Sequence, residues 1–399
     1  DIRGGDTMHS RDLIEQYKSY VQDWRRYFHK HPELSNEEFE TTKTLAKELG
    51  SMGVEVHVDT ERGIGLIGII HGAKPGKAIA LRSDIDALPV HEHNTVDYKS
   101  EVEGKMHACG HDGHMAILLG AAKMLMSMKD RIEGDVYLAF QPAEETGAGA
   151  PDFIKFGDWY DKVDAIFGGH VWIDLPAGLI SVEEGPRMAA SSQITINVTG
   201  KQGHGAQPHQ AVDAIVVASA IVMNLQTVVS RNVSALDSLV LTIGNIHSGS
   251  EWNVIPGEAK MGGTIRFFDP DQEEYYVESI RRVVEHTAEA YGATATLEYV
   301  KKVPPTINDP ESSELAERVV IDTLGKDKLS KMRKVMPGED FAWYLQDKPG
   351  CFAFIGIQNP EIEATYDHHN NRFNMDDTVL SAASAVYAEY AIAWLKEHK

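Results

Sequence analysis

The chain alternates between two hydrophobic textures. In the first, apolar residues recur at helical spacing: Leu13, Ile14, Tyr17, Val21, Trp24 and Phe28 make one face over residues 10–31, with Ser10 as the expected N-cap. Residues 36–52 predict a second helix. Short β-type runs follow at 54–58, 66–70 and 78–82, then an apolar helix over 113–128 (GHMAILLGAAKMLMSM), then strands at 135–140 and 164–167. Strands alternating with helices, several of them uniformly apolar, predict an α/β fold: a mixed, mostly parallel sheet with helices on both faces. The second texture begins after about residue 185. Residues 193–198 alternate as a half-exposed strand does, followed by a helix (211–229), two strands (238–246 and 260–268), a helix (272–291) and a strand (294–300). Strand–helix–strand–strand–helix–strand is the order of a ferredoxin-like α+β sandwich. The first texture then returns, with a helix at 312–324, an apolar strand at 351–357 and a final helix from Asp377. The expected organisation is a discontinuous catalytic domain, residues 8–186 and 299–399, interrupted by an inserted domain over 187–298. Residues 1–7 (DIRGGDT) stop just before Met8 and read as an expression remnant.

The segment Gly63-Ile-Gly65-Leu-Ile-Gly68 is formally a dinucleotide-binding GxGxxG. Such a loop must open a helix whose N-terminus holds pyrophosphate. Here Ile69, Ile70, His71, Gly72 and Pro75 follow, a strand running into a turn, so no nucleotide is expected.

Composition narrows the function classes. The 399 residues carry 38 Lys plus Arg against 60 Asp plus Glu, a formal charge of −22. With no basic stripe, nucleic acid is not an expected partner, and an acidic surface disfavours anionic membranes. No run of 18 apolar residues predicts a membrane span. The chain lacks a secretory signal, and its two cysteines cannot build a disulfide framework, so a reducing, cytoplasmic setting is expected. The 18 histidines stand out, because several cluster with Cys and acidic residues.

Five clusters carry chemistry. Ser83-Asp84-Ile85-Asp86 ends a strand, and carboxylates two apart on an extended chain point the same way. His107-Ala-Cys109-Gly-His111-Asp112-Gly-His114 packs four soft or borderline ligands just before an apolar helix. Glu144-Glu145 follow a strand, where one carboxylate can bind a metal while its neighbour takes a proton from water. Gly168-Gly169-His170 and His368-His369-Asn370-Asn371-Arg372-Phe373 complete the set. Ligands of open α/β sheets gather beyond the carboxyl ends of the strands, where these clusters fall or lie close by. Five or more candidate ligands exceed the four of a single zinc site, which suggests two metals. The inserted domain has its own polar residues: His204, His209, Asn253 and Arg266. An Arg and an Asn can together bind a carboxylate. Serine catalysis has no support, since G-x-S-x-G is absent, and neither HExxH nor a P-loop occurs. Cys109 remains formally able to act as a nucleophile.

HACGHDGHM, QPAEE, GGH and HHNNRF, arranged around an insert with GKQGHGAQPH, NVIP and GTIR, resemble the aminoacylase/carboxypeptidase-G family. The likeness is strongest to the branch of hippurate hydrolases, N-acyl-amino-acid amidohydrolases and plant auxin-conjugate hydrolases. The resemblance implies two divalent metal ions per subunit held by Cys109, His111, Glu145, His170 and His369. Relatives outside this branch place a bridging aspartate at the position of His111 and a histidine at that of Cys109. By softness the ligands favour zinc, while manganese, cobalt or nickel can serve. The same resemblance makes Glu144 the general base and Asp86 the residue that orients a ligand. It gives His204 the role of oxyanion donor reaching across a dimer, and Asn253 and Arg266 that of receiving the substrate carboxylate. The insert becomes a dimerisation or lid domain, the assembly a homodimer or dimer-based homo-oligomer, and the substrate a small acyl-amino acid. A metallo-carboxypeptidase or dipeptidase is the alternative. One departure is visible: the last motif usually has proline where Asn371 stands. Gly338-Glu339-Asp340-Phe341 resembles the family's Glu-Asp-Phe segment and reads as loop-shaping.

Overall fold

The computed structural model describes residues 7–399. The expected remnant, 1–7, therefore lies outside the described residues except for Thr7. In chain order the elements begin with α1 (Ile14–Lys30), α2 (Phe39–Ser51), β1 (Glu55–Val58), β2 (Leu66–His71), β3 (Lys74–Asp84), α3 (His111–Ser127), β4 (Glu133–Gln141), β5 (Ala165–Pro176) and β6 (Ile180–Ser181). They continue with β7 (Ser191–Thr199), α4 (Ala214–Thr227), β8 (Leu239–Ser248), β9 (Glu258–Phe267), α5 (Glu273–Ala290), β10 (Thr294–Val303), α6 (Pro310–Leu324), β11 (Gly350–Gln358) and α7 (Leu380–Glu397). The chain divides into two compact units. One runs to Arg187 and takes in Ile307–Arg333 and Asp340–Lys399; the other is Met188–Thr306 with Lys334–Glu339.

The first unit is built on a seven-stranded sheet in the order β1-β2-β4-β3-β5-β11-β6. The inner four strands run parallel, and the flanking pairs are antiparallel. Inner parallel strands must be covered on both faces, which is why β11 is apolar and buried from Gly350 to Ile357. The helix α3 has no polar face because it is enclosed: it packs on α1, α7 and β3. The parallel register pairs Leu81 with Phe167, so Asp84 and His170 stand at the same level three residues further along.

Four local expectations change. Ser10 does not cap an exposed helix. It is buried in a 3-10 turn (Ser10–Leu13), its hydroxyl donating to Ala385 O (2.9 Å) and its N–H to Glu389 Oε1 (2.8 Å). The second helix starts at Phe39, because Asn36 takes the left-handed conformation (φ 68°). The strand expected at 164–167 runs on to Pro176, since Gly168-Gly169 fits between neighbouring strands and Val171-Trp172-Ile173 continues the apolar run. β3 starts at Lys74. The glycines at 63–68 lead into β2, a strand between β1 and β4, not into a helix.

In the second unit the sheet order is β8-β9-β7-β10, antiparallel throughout, which is the ferredoxin-like arrangement. Its core, including Ile194, Ile196, Val217, Ile221, Met261, Ile280 and Val284, joins the sheet to α4 and α5. The α4 N-terminus is capped by Asp213, whose carboxylate accepts from the Ile215 and Val216 N–H groups. By length and composition, Ala214–Asn232 and Asp377–Glu397 would suffice to cross a membrane. Here the latter contributes most of its residues to the first unit's core, and the former packs on the second unit's sheet.

Candidate metal centre

The first unit brings Cys109, His111, Glu144, Glu145, His170 and His369 together. Gly110, with φ +89°, makes the turn from the Cys109 loop into α3, and a side chain there would meet Val171 Cγ2 at 2.3 Å. The ligand atoms of Cys109, His111 and His170 lie within 4.8 Å of one another, as do those of Cys109, Glu145 and His369, and those of His111, Glu144 and Glu145. Cys109 is thus common to the two groups holding His170 and His369.

Hydrogen bonds decide which nitrogen of each ring is available. The His111 Nδ1–H donates to Asp86 Oδ1 (3.1 Å), leaving Nε2 buried without a hydrogen-bond partner among the described residues. That Nε2 faces Asp84 Oδ2 (3.4 Å), Glu145 Oε1 (3.8 Å) and Glu144 Oε2 (3.9 Å). The other Asp86 oxygen accepts from Ser35 Oγ (2.6 Å) and the Glu145 N–H (3.0 Å), so Asp86 ties the His111 ring to the turn carrying Glu145. His170 spends its Nδ1–H on Val171 O (2.6 Å) and turns Nε2 to Cys109 Sγ (3.5 Å). A ring held at one nitrogen and open at the other is how a metal-binding histidine is oriented. His114, by contrast, uses both nitrogens: Nδ1–H donates to Asp84 Oδ1 (2.6 Å) and Nε2 accepts the Val171 N–H (2.9 Å). Of the ligands counted in the HACGHDGH stretch, this one is occupied by the fold.

The two adjacent histidines also divide. His369, in the left-handed conformation (φ 69°), points Nε2 at Glu145 Oε1 (3.4 Å) while its N–H donates to Ala108 O (2.7 Å). His368 accepts the Ile173 N–H on Nε2 (3.3 Å), bracing β5, and burial pushes its pKa down to about 3. Asn371, at the position where the family pattern has proline, accepts the His93 N–H on its carbonyl (2.9 Å). Glu144 and Glu145 sit on a 3-10 turn after β4, entered through left-handed Ala143 (φ 58°). Glu145 Oε1 is buried without a hydrogen-bond partner among the described residues, whereas Glu144 Oε1 accepts the Asp340 N–H (3.4 Å).

The electrostatics ask for a cation. Burial opposes charge on His111, yet Asp84 and Asp86 raise its pKa to about 10. Burial, then Glu145, Glu144 and Asp84, push the Cys109 thiol well up, so without a cation it stays protonated and is no thiolate nucleophile. Burial drives His170 well down, keeping the ring neutral with a lone pair on offer. Unpaired atoms on His111 and Glu145, a neutral imidazole and a thiol among carboxylates form a donor set that divalent metals fit.

Of four supporting residues, Arg82 and Ser35 escaped the sequence reading of the site, while Asp84 and Asp340 were named in it without their bonds. Asp84 was visible as half of an acidic pair, but its bonds to His114 were not. Arg82 is fully buried and donates to Gln141 Oε1 (2.9 Å), Asp84 Oδ2 (3.2 Å) and Asp340 Oδ1 (2.7 Å). Asp340 also accepts the Ala150 N–H (2.9 Å), which gives the Glu-Asp-Phe segment its loop-holding role. Ser35 had no local signal.

In the second unit, His204 and Asn253 are neighbours: His204 pairs with Val254 in a short antiparallel ladder, and the Gly205 N–H donates to Asn253 O (2.8 Å). His204 is exposed, and its Nδ1 accepts the Ala206 N–H (3.0 Å), which places the proton on Nε2 as an outward donor. Arg266 lies on β9, half-buried, with Nη1 3.5 Å from Met336 O; burial lowers its pKa.

Against known proteins, the model of peptidase family M20/M25/M40 matches residues 80–393. Thermostable carboxypeptidase 1 of Saccharolobus solfataricus is 38% identical over 397 residues, covering 96% of this chain and 98% of the relative. N-acetyl-L-cysteine deacetylase of Bacillus subtilis is 41% identical over 369 residues, covering 92% and 86% respectively. Among solved structures, the YXEP protein of Bacillus subtilis, described as a dinuclear metal binding peptidase of the M20 family, superposes with a TM-score of 0.86. It is 35% identical and covers 96% of this chain and 99% of its own. The chain belongs to peptidase family M20/M25/M40 and is a hydrolase acting on amide bonds with metal.

Proposed function

We propose that this member of peptidase family M20/M25/M40 cleaves the amide bond of N-acyl-L-amino acids, giving a carboxylic acid and a free amino acid. The observation that carries the reading is the unequal footing of two neighbouring carboxylates that both reach His111. Among the described residues Glu145 Oε1 has no hydrogen-bond partner and lies near His111 Nε2 (3.8 Å) and His369 Nε2 (3.4 Å), while Glu144, with Oε2 3.9 Å from the same His111 nitrogen, is held at Oε1 by the Asp340 N–H. That difference supports one acid as ligand and the other as base.

Two divalent ions would be held by Cys109, His111, Glu145, His170 and His369. When bound they would polarise the acyl carbonyl and make water acidic enough to attack near neutral pH. Glu144 takes the proton of the attacking water and returns it to the leaving amine nitrogen, one carboxylate serving as base and then acid. Asp86 keeps the His111 Nδ1–H engaged so that Nε2 stays available. His204 is assigned as donor to the developing oxyanion, in keeping with its outward Nε2–H, and by family resemblance it acts from the partner subunit of a homodimer. Asn253 and Arg266 are assigned to the amino acid's free carboxylate, which selects acyl-amino acids over simple amides.

The carboxypeptidase relative, which covers nearly the whole chain, favours a second reading in which the scissile amide is a peptide bond. Release of free amine from N-acetyl-, N-benzoyl- and long-acyl-amino acids, beside matching dipeptides and with or without chelator, separates the two. Chelator-sensitive release from acyl-amino acids is expected. Release from dipeptides alone would replace this reading with the peptidase one.

A further inference from the structure

Glu38 lies outside every cluster read from the sequence, yet it is fully buried beside the turn that delivers both functional carboxylates. Its Oε1 accepts the Ala143 N–H (2.8 Å), and its Oε2 is buried without a hydrogen-bond partner among the described residues. Ala143 is a non-glycine residue in the left-handed conformation (φ 58°, ψ 36°), immediately before Glu144 and Glu145. An L-residue holds that backbone only when its surroundings impose it.

The surroundings do so from two sides. Glu38 pulls on the amide of Ala143. On the other side, Gly65, itself at φ +81°, lets Pro142 press so close that a Cβ on residue 65 would meet Pro142 Cδ at 2.7 Å. The two sides are also tied to each other. The Thr42 hydroxyl donates to Glu38 O (2.7 Å) and accepts the Gly65 N–H (2.9 Å). The middle glycine of the false nucleotide motif thus acquires a use: it is the floor under the Pro142–Ala143 turn.

We propose that Glu38 is a positioning residue, which with Gly65 clamps Ala143 in its left-handed conformation and so sets the turn that aims the Glu144 and Glu145 carboxylates at His111. The clamp rests on the reading that these two carboxylates have separate tasks, not on which amide is cleaved. A relaxed turn would swing both acids together. A shift of about 1 Å at reacting groups costs on the order of a hundredfold in rate, with little change in substrate affinity.

The test compares Glu38→Ala, Glu38→Gln and the double variant Glu38→Ala/Ala143→Gly. Glycine adopts the left-handed turn without the Cβ penalty, so it can restore the turn without the clamp. For the metal-free protein, hydrogen exchange over residues 142–147 should speed up about tenfold in Glu38→Ala and return to the parent rate in Glu38→Gln, which keeps an acceptor oxygen. With metal loaded, kcat should fall about 10- to 100-fold in Glu38→Ala at nearly constant KM, and recover in part in the double variant. The proposal is overturned if Ala143→Gly recovers nothing, if Glu38→Gln is as slow as Glu38→Ala, or if exchange rises equally across α2. Should Glu38→Ala not fold, Glu38→Gln decides: retained protection at 142–147 supports the clamp, and lost protection with α2 intact overturns it. A parent chain inactive on every amide would sink the hydrolase reading while leaving the exchange result to judge the clamp.

Discussion

The metal-facing cluster of the first unit and the polar residues of the second are held in opposite ways. In the first, three side chains are fixed before any ligand arrives: Asp86 grips His111, Val171 O grips His170, and Asp340 grips Glu144. Nearly all of this is buried, and the atoms left over converge. In the second, His204 and Asn253 are exposed, held to each other's segments by the backbone pairing of His204 with Val254 and of the Gly205 N–H with Asn253 O. The difference is one of construction: buried groups held at fixed distances in the first unit, and polar side chains open to solvent in the second. Preorganisation is what makes an electrostatic site effective, because no reorganisation is needed during reaction.

The comparison can be broken most severely at the buried end. His111→Ala removes the ring whose Nε2 faces three carboxylates. Metal affinity, followed by calorimetry, should fall at least about a hundredfold, and activity with it, since even outer-shell losses cost 10- to 100-fold. Unaltered affinity would remove His111 from the ligand set. In the second unit, His204→Ala should leave metal binding intact and lower kcat by about 10²- to 10³-fold, the usual loss for one oxyanion donor. Mixing it with a Glu144→Gln partner should restore some activity if the histidine acts across a dimer. Smaller still, Arg266→Ala should raise KM by about 10- to 100-fold for substrates with a free carboxylate and much less for their amides. Equal effects on both would detach Arg266 from substrate recognition.

The smallest effect concerns the buried frame beneath α3. His29 Nδ1 lies 2.8 Å from Asp112 Oδ2 and Nε2 lies 2.7 Å from Glu92 Oε1. A neutral ring has one donor, so satisfying both carboxylates needs the imidazolium. Burial works against that charge, but the hydrogen bonds His29 donates to Asp112 and Glu92 raise the pKa. The folded state therefore holds the proton more tightly than the unfolded one. The stability it adds is complete below about pH 6.5 and declines by about 1.4 kcal/mol per pH unit until the raised folded pKa is passed. Denaturant melts of the chelated protein from pH 6 to 9 should show this slope on top of the one from His111, whose pKa is also raised, and His29→Gln should remove the His29 share alone.

The side chains that the first unit gathers were legible as a group because several are crowded into short motifs, and the ferredoxin-like unit because its strands alternate while its helices do not. What stayed hidden is long-range pairing. Arg82 and Asp340 stand 258 residues apart, Glu38 and Ala143 105, and no local pattern announces either bond. His114 and His111 look alike in the motif, and only Val171 and Asp84, brought in by β5 and β3, separate an occupied ring from an available one. Ser10 carries a capping residue's chemistry but is drawn inward by Glu389 from the far end of the chain.

The separation of tasks between Glu144 and Glu145 is most directly tested by Glu144→Gln, assayed for amine release from an N-acyl-amino acid at metal content matched to the parent. Full metal occupancy with turnover reduced by about a thousandfold or more is the predicted result. Turnover near the parent value at equal occupancy would contradict it, and the proton would then have to move through another group.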